Sequence, residues 1–510
     1  MPRRSSNRSQ PLAVHLGVLL AASLGAACSS ADSNGGTPQP SGDAGASPVP
    51  DAGPARDAAA PPPADAAPCV GVDIKDRLAC IPGMTVVEIT DPPDAAQPTV
   101  PAGYRRFDIQ LVQPVDHGHP EGPTFTQRLS LLHVSETAPM VLASSGYGLS
   151  TGRSELTRTF TSNQVQVEHR FFSPSVPTPP VWTDLTIRQS ADDYHAIVSK
   201  LKSIYAGHWV NTGASKGGMT SVYHRRFYPD DLDGTVAYVA PNVYGTEDAR
   251  FVTFLSQVGG AAYAACRASI VELQKTVLTR RDEITPLMQG TYDRLGGKPI
   301  ALEHAVLEMP FTFWQYTNPA DPQAGCGAIP AASAPIATLF DFFSQVTQLG
   351  NYGDSGFDYF APYYYQAATQ LGAPGVDDAP ILSLLKYRAT YNVTTYAPKG
   401  VPTVFDPAAM QDVADWVKTK GSSLMFIYGE YDPWSAGAFA LGGATDSFVY
   451  VAAGKNHGAK LTGLTTAEKQ AALSTLERWM GATATNPPAL AAGPRDFTAG
   501  DADLENRPRL

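Results

Sequence analysis

The chain has 510 residues, of which 43% are hydrophobic and 17% charged. That is the composition of a globular protein, neither disordered nor membrane-spanning, and long enough for one large domain with insertions or for two. A net charge of −11 without any basic block repels phosphate backbones and argues against a nucleic-acid partner.

The amino-terminal end reads as a processing signal. Arg3, Arg4 and Arg8 precede the short apolar run Leu12 to Leu24, and small residues lead into Cys28, so residues 1–27 are expected to be an export signal peptide. The ending Leu-Gly-Ala-Ala-Cys resembles a lipoprotein cleavage site, although Gly25 stands where a branched aliphatic residue is usual. Lipidation of Cys28 would attach the protein to a membrane; plain secretion is the alternative. Residues 28–68, rich in Ala, Pro, Ser and Gly, cannot bury a core and are expected to be a flexible tether. The remaining cysteines, Cys69, Cys80, Cys266 and Cys326, are even in number, as suits an oxidising compartment. Of three possible pairings, the nearest-neighbour one, Cys69–Cys80 with Cys266–Cys326, is expected.

Ordered sequence is expected from about residue 69. Arg106 to Val112 and Gln127 to His133 read as an antiparallel pair, Met140 to Ser144 as a short apolar strand, and Gln164 to His169 as another. A helix over 187–204, a strand at His208 to Thr212, a helix at Gly217 to Phe227 and a strand at Thr235 to Ala240 follow. Strands alternating with helices imply a parallel sheet covered on both faces. From 244 to 400 the alternation stops and aromatic, helical sequence takes over. It resumes over 401–486 with a helix at Ala408 to Lys420, strands at Leu424 to Tyr428 and Phe448 to Val451, and a last helix at Thr466 to Trp479. Residues 487–510 read as a loose tail. The expected architecture is a core of 69–243 and 401–486 interrupted by a mostly helical insertion.

Gly213-Ala214-Ser215-Lys216-Gly217 is a G-x-S-x-G pentapeptide set between a predicted strand and a predicted helix. That context is what a nucleophile elbow requires, since the serine must sit on a strained turn between tightly packed elements. In such a fold the acid follows the serine and the base comes last. After His304 only His457 remains, in a loop past the Phe448 strand, and is the expected base. The acid is expected at Asp432, beyond the Leu424 strand, with Glu430 as its rival. The backbone N–H of Lys216 and that of Tyr147, in the loop after Met140–Ser144, are the expected oxyanion donors. The Lys216 side chain should point away from Ser215, as helix-start packing or surface charge. Glu168-His169-Arg170 reads as buried structure rather than a second base. Asp116-His117 lacks a third ligand, and neither metal nor cofactor is expected. These residues imply acyl transfer to water and leave three hypotheses: a peptidase, an esterase or lipase, or a catalytically silent binding protein.

Longer matches sharpen this. Thr212 to Thr220 (TGASKGGMT), His224 to Pro229 (HRRFYP) and Asp233 to Asn242 (DGTVAYVAPN) resemble the S37 serine peptidases of the PS-10 type, as do Ile81 to Met84, Gln113 to His117, Asn163 to Val165 and Arg170 to Phe172. That family is similar to the S28 prolyl carboxypeptidase group. The resemblance implies an α/β-hydrolase fold with a helical cap inserted after the strand that follows the nucleophile helix. It also implies peptide substrates and release of short amino-terminal peptides. An acid receiving the substrate ammonium would then be needed; Glu247, Asp248, Glu303 and Glu308 are candidates in the insertion, and none is assigned.

Overall fold

The structure is a computed structural model that describes residues 73–91 and 99–487. The expected signal peptide, Cys28, the tether, Cys69 and the tail from 488 onward lie outside the described residues.

Nine strands form one sheet: β1 (Met84–Ile89), β2 (Arg105–Pro114), β3 (Thr124–His133), β4 (Met140–Ser144), β5 (Asn163–Val167), β6 (Trp209–Ala214), β7 (Gly234–Tyr238), β8 (Leu424–Gly429) and β9 (Phe448–Ala452). Their spatial order is β1-β2-β3-β5-β4-β6-β7-β8-β9. The first three form an antiparallel meander that joins β5 antiparallel, and every pairing from β5 to β9 is parallel. β4, β5, β7 and β8 are buried along their whole length, because helices cover both faces. That is why β4 and β8 appear in the sequence as nearly continuous apolar runs, whereas β5 buries polar Asn163, Gln164 and Gln166 as well. The helices Ile187–Leu201, Lys216–Phe227, Ala408–Lys420 and Thr466–Met480 make the crossovers and the closing layer.

The strand order reverses between β4 and β6, which lie side by side although β5 and two helices separate them in sequence. At such a reversal the loops leaving two neighbouring strands diverge to opposite faces and open a crevice at their carboxyl ends. The loop after β4 and the turn after β6 therefore meet there.

Between β7 and β8 the described residues contain no strand. The main helices are Ala249–Gln257, Ala264–Thr279, Lys298–Tyr316, Ile336–Thr347 and Asp354–Gln366. They share a hydrophobic core of their own in which Val277, Leu302, Val306, Leu339 and Phe343 are completely buried. Cys266 and Cys326 are joined by a disulfide across 60 residues, with Cα atoms 5.2 Å apart. Closing a loop of that length stabilises the folded state by about 4 kcal/mol in the chain-entropy picture. Cys80 is also disulfide-bonded. No described helix is long and apolar enough to cross a membrane.

Candidate active site

Ser215 sits on the turn between β6 and the helix Lys216–Phe227 with φ 56° and ψ −126°. A non-glycine residue in that region is strained and persists only where its surroundings enforce it. Here the Ser215 N–H donates to the Tyr238 carbonyl at 2.9 Å, and its own carbonyl accepts from Met219 N–H at 2.9 Å. The flanking glycines permit the approach. A Cβ on Gly213 would press into the Gly217 backbone, and one on Gly217 into the Ser144 carbonyl oxygen. The elbow and the end of β4 thus interlock backbone to backbone.

Asp432 and His457 come together past the ends of β8 and β9. His457 Nδ1 donates to Asp432 Oδ2 at 2.8 Å, and the Asp432 side chain is fully buried. Asp432 Oδ1 accepts from the Trp434 N–H at 3.2 Å, which starts the short turn Pro433–Gly437. With Nδ1 carrying the proton for Asp432, the His457 Nε2 is left as the basic nitrogen. The His457 backbone N–H donates to the Gln315 carbonyl at 3.1 Å. That carbonyl belongs to the last turn of Lys298–Tyr316, where it has no partner within the helix, and the negative end of the helix favours a positive imidazole. Glu430, the rival acid, is exposed and accepts from the Gly454 N–H at 2.7 Å, bracing the loop that carries His457 without touching the ring's acid position.

Ser215 opens into a small cavity of about 20 Å³ between the sheet and the insertion. Lys216, Met219 and Pro241 line it from the sheet side, Tyr147 from the loop after β4, Gln315, Tyr363 and Leu371 from the insertion, and Trp434 from beside Asp432.

Two expectations about this cavity need correction. The Tyr147 N–H, expected to face the oxyanion, donates to Ser145 Oγ at 3.1 Å, while that hydroxyl donates to the Gly148 carbonyl at 2.7 Å. A serine two residues earlier captures the N–H in a local turn, as serine side chains commonly do. Lys216 N–H, by contrast, opens a helix, where the first N–H groups lack intrahelical partners. The Lys216 side chain is no surface charge: it is 2% exposed, its Nζ donates to the Gly146 carbonyl at 2.6 Å, and it lies 5.4 and 5.6 Å from the ring centroids of Tyr147 and Phe172. Burial pushes its ammonium pKa well below the usual range.

Most of the other polar groups singled out in the sequence have structural partners. Arg170 makes two 2.7 Å bonds to the Asp193 carboxylate, which also meets His117 Nε2 at 2.8 Å. Glu168 accepts from Arg128, from Ser175 and, at 3.0 Å, from the Leu149 N–H, which fixes the far end of the Tyr147 loop. His169 Nδ1 donates to the Arg170 carbonyl at 2.9 Å. In the insertion, Glu303 pairs with Arg281 and accepts from the N–H groups of Lys386 and Tyr387. Asp248 pairs with Arg250, and Glu308 accepts from the hydroxyls of Tyr352 and Tyr391. No cluster of three or more metal-ligating side chains occurs among the described residues. Gln315 and Trp434 were not anticipated as wall residues. Trp434, two residues beyond Asp432, could have been suspected from that proximity, whereas Gln315 reaches the cavity only through the folding of the insertion.

A serine on a strained strand-to-helix turn at the sheet's reversal point, with an Asp–His pair delivered by the last two strands, defines an α/β-hydrolase. The chain belongs to the PS-10 peptidase S37 family, whose model matches residues 66–509, and it is a serine peptidase. It is 40% identical over 422 residues to the prolyl tri/tetrapeptidyl aminopeptidase of Streptomyces mobaraensis, spanning 80% of this chain and 85% of that protein. Solved structures are far more distant. Carboxyl esterase 2 from Tuber melanosporum matches at 12% identity and TM-score 0.32, over 76% of this chain and 90% of that one. Epoxide hydrolase A from Mycobacterium thermoresistibile matches at 14% and 0.30, over 70% and 95%. The fold assignment rests on the strand order and not on these.

Proposed function

We propose that this peptidase is an exported aminopeptidase that releases tri- or tetrapeptides ending in proline, through an acyl-enzyme on Ser215. The observation that carries the reading is convergence on one cavity. Ser215 and Gln315 line it, and Gln315 holds the loop of a His457 already bonded to Asp432. In the proposed reaction His457 Nε2 takes the Ser215 proton as Oγ attacks the scissile carbonyl. Asp432 holds the tautomer and stabilises the imidazolium, which then protonates the leaving amine; water repeats the sequence to free the acid. The Lys216 N–H receives the oxyanion.

The proline preference is supported by the name of the Streptomyces relative and by the apolar wall of Met219, Pro241, Val243 and Leu371 beside Ser215, which suits a compact ring. Export is supported by the signal-like residues 1–27 and by disulfides at Cys80 and Cys266–Cys326. Lipid attachment through Cys28 belongs to the same proposal. Ser215→Ala should lower kcat on a prolyl tripeptide amide by about 10⁶-fold. Turnover near the wild-type rate would remove Ser215 as nucleophile. Mass spectrometry of the amino terminus of the mature protein reads lipidation directly: an unmodified residue there means secretion.

A further inference from the structure

The cavity wall carries two polar atoms that the protein leaves unpaired. Gln315 is 1% exposed and Trp434 6%, and both line the cavity with Ser215. Neither Gln315 Oε1 nor Trp434 Nε1 has a hydrogen-bond partner among the described residues. Unpaired buried atoms also occur elsewhere, as on Asn242 and Gln366. It is the position of these two on the catalytic wall that singles them out.

Both side chains are held. Gln315 Nε2 donates to the Tyr316 hydroxyl at 2.8 Å, and its main-chain carbonyl holds the His457 N–H. The Trp434 ring packs edge-on against Phe251 and Phe311, at centroid distances of 5.6 and 5.0 Å, and its main-chain N–H donates to Asp432. The amide oxygen and the indole N–H are therefore held on rigid supports joined directly to the Asp432–His457 pair. A buried donor or acceptor without a partner destabilises the fold, so its retention at a catalytic cavity calls for a ligand.

One acceptor and one donor on residues of the same cavity wall match the N–H and C=O that each peptide residue offers. A simple acyl ester offers no N–H. We infer that Gln315 and Trp434 form a clamp for the substrate backbone. Gln315 Oε1 accepts the N–H of the residue before the cleaved one, and Trp434 Nε1 donates to that residue's carbonyl. This assignment rests on the prolyl reading above, because a proline at the cleaved bond has no N–H and the first available one belongs to the residue before it.

The test is a cycle between enzyme and substrate. The parent substrate is an alanyl-alanyl-prolyl p-nitroanilide; the second is the same compound N-methylated at its middle residue; p-nitrophenyl acetate reports simple ester turnover. In the wild type, N-methylation should lower kcat/KM tenfold or more. Gln315→Met should lower the parent's kcat/KM tenfold or more and abolish the further penalty of N-methylation. Trp434→Phe should lower the ratio of peptide to ester turnover at least fivefold. Trp434→Phe deletes an unpaired donor and keeps the bulk, so its Tm should equal or exceed that of the wild type; Gln315→Met also removes the Nε2 bond to the Tyr316 hydroxyl, and is read through the N-methylation comparison alone. An N-methylation penalty equal in wild type and Gln315→Met would overturn the clamp. So would a lowered Tm in Trp434→Phe with its peptide and ester turnover falling together. If the wild type fails to cleave the parent at all, the prolyl reading fails first and takes the clamp with it.

Discussion

Two carboxylates stand two residues apart beyond β8, and their partners separate them. Asp432 is buried against His457, whereas Glu430 reaches the Gly454 N–H from the surface. Asp432→Asn keeps the shape but offers an amide N–H toward Nδ1, which favours the wrong tautomer; kcat should fall by roughly 10⁴-fold. Glu430→Gln retains an acceptor for Gly454 and should cost less than about tenfold. Comparing kcat of the two variants checks the assignment, and a larger loss at Glu430 would reverse it. Lys216 poses a different question, since its backbone and side chain serve opposite walls of one site. Its N–H is the expected oxyanion donor, while its Nζ ties down the Gly146 carbonyl and so the Tyr147 loop. Lys216→Met keeps the stem and removes the tie. By analogy with loss of one oxyanion donor, kcat should fall by about 10²-fold with KM little changed. A rise in KM alone would mean that the lysine shapes the pocket instead.

The elements that hold these residues differ in how plainly the sequence announces them. β4 and β8 are buried and continuous, and the helix before β8 buries one apolar face, so Met140–Ser144 and Ala408–Lys420 fall where the pattern puts them. β1 was missed. Its burial alternates only weakly, because Met84–Ile89 is an edge strand with half its side chains toward solvent. The insertion was recognised as helical, but its helices were not individually delimited. Lys298–Tyr316 and Asp354–Gln366 carry Pro310 and Pro362 within them, and proline ordinarily marks an end. Ser215, Asp432 and His457 follow from chain order around a strand-turn-helix. The capture of Tyr147 N–H by Ser145 and the burial of Lys216 do not, since they depend on how close β4 and the elbow approach. That approach can itself be tested. Gly217→Ala places a methyl against the Ser144 carbonyl, and backbone cannot yield as a side chain would. It should destabilise by about 1–3 kcal/mol, measured by denaturant unfolding, and lower kcat by pulling the two halves of the site apart. An unchanged midpoint would show that the interlock is looser than its geometry.

At the scale of the whole molecule, both the sheet and the insertion hide histidines that must stay neutral. Burial pushes down the pKa of His169 and His224 beside the sheet, the latter partly offset by Asp231. In the insertion, His304 is lowered to about 3, first by burial and then by Arg388. Its ring nitrogens meet the Tyr396 hydroxyl at 2.7 Å and Thr390 Oγ1 at 2.9 Å. Because Thr390 Oγ1 donates to the Tyr387 carbonyl, it accepts from Nε2–H and leaves Nδ1 to accept from Tyr396, so the neutral ring is fully satisfied. The sign of the linkage follows. Between the folded value near 3 and the unfolded value near 6.5, the unfolded chain binds the proton and the folded one does not. Stability is therefore complete above pH 6.5 and is lost as pH falls through that window. Asp231, held at about 2 against burial by His195 and His224, adds its loss only below about pH 4, so histidines lead the acid response and carboxylates follow. From pH 7 to pH 5 the His304 share is about 2 kcal/mol. His304→Gln can bond both hydroxyls and does not titrate. Unfolding free energies from guanidinium titrations at the two pH values should therefore differ by about 2 kcal/mol less in the variant than in the wild type. Equal differences in both proteins would mean that His304 takes up its proton without unfolding the insertion.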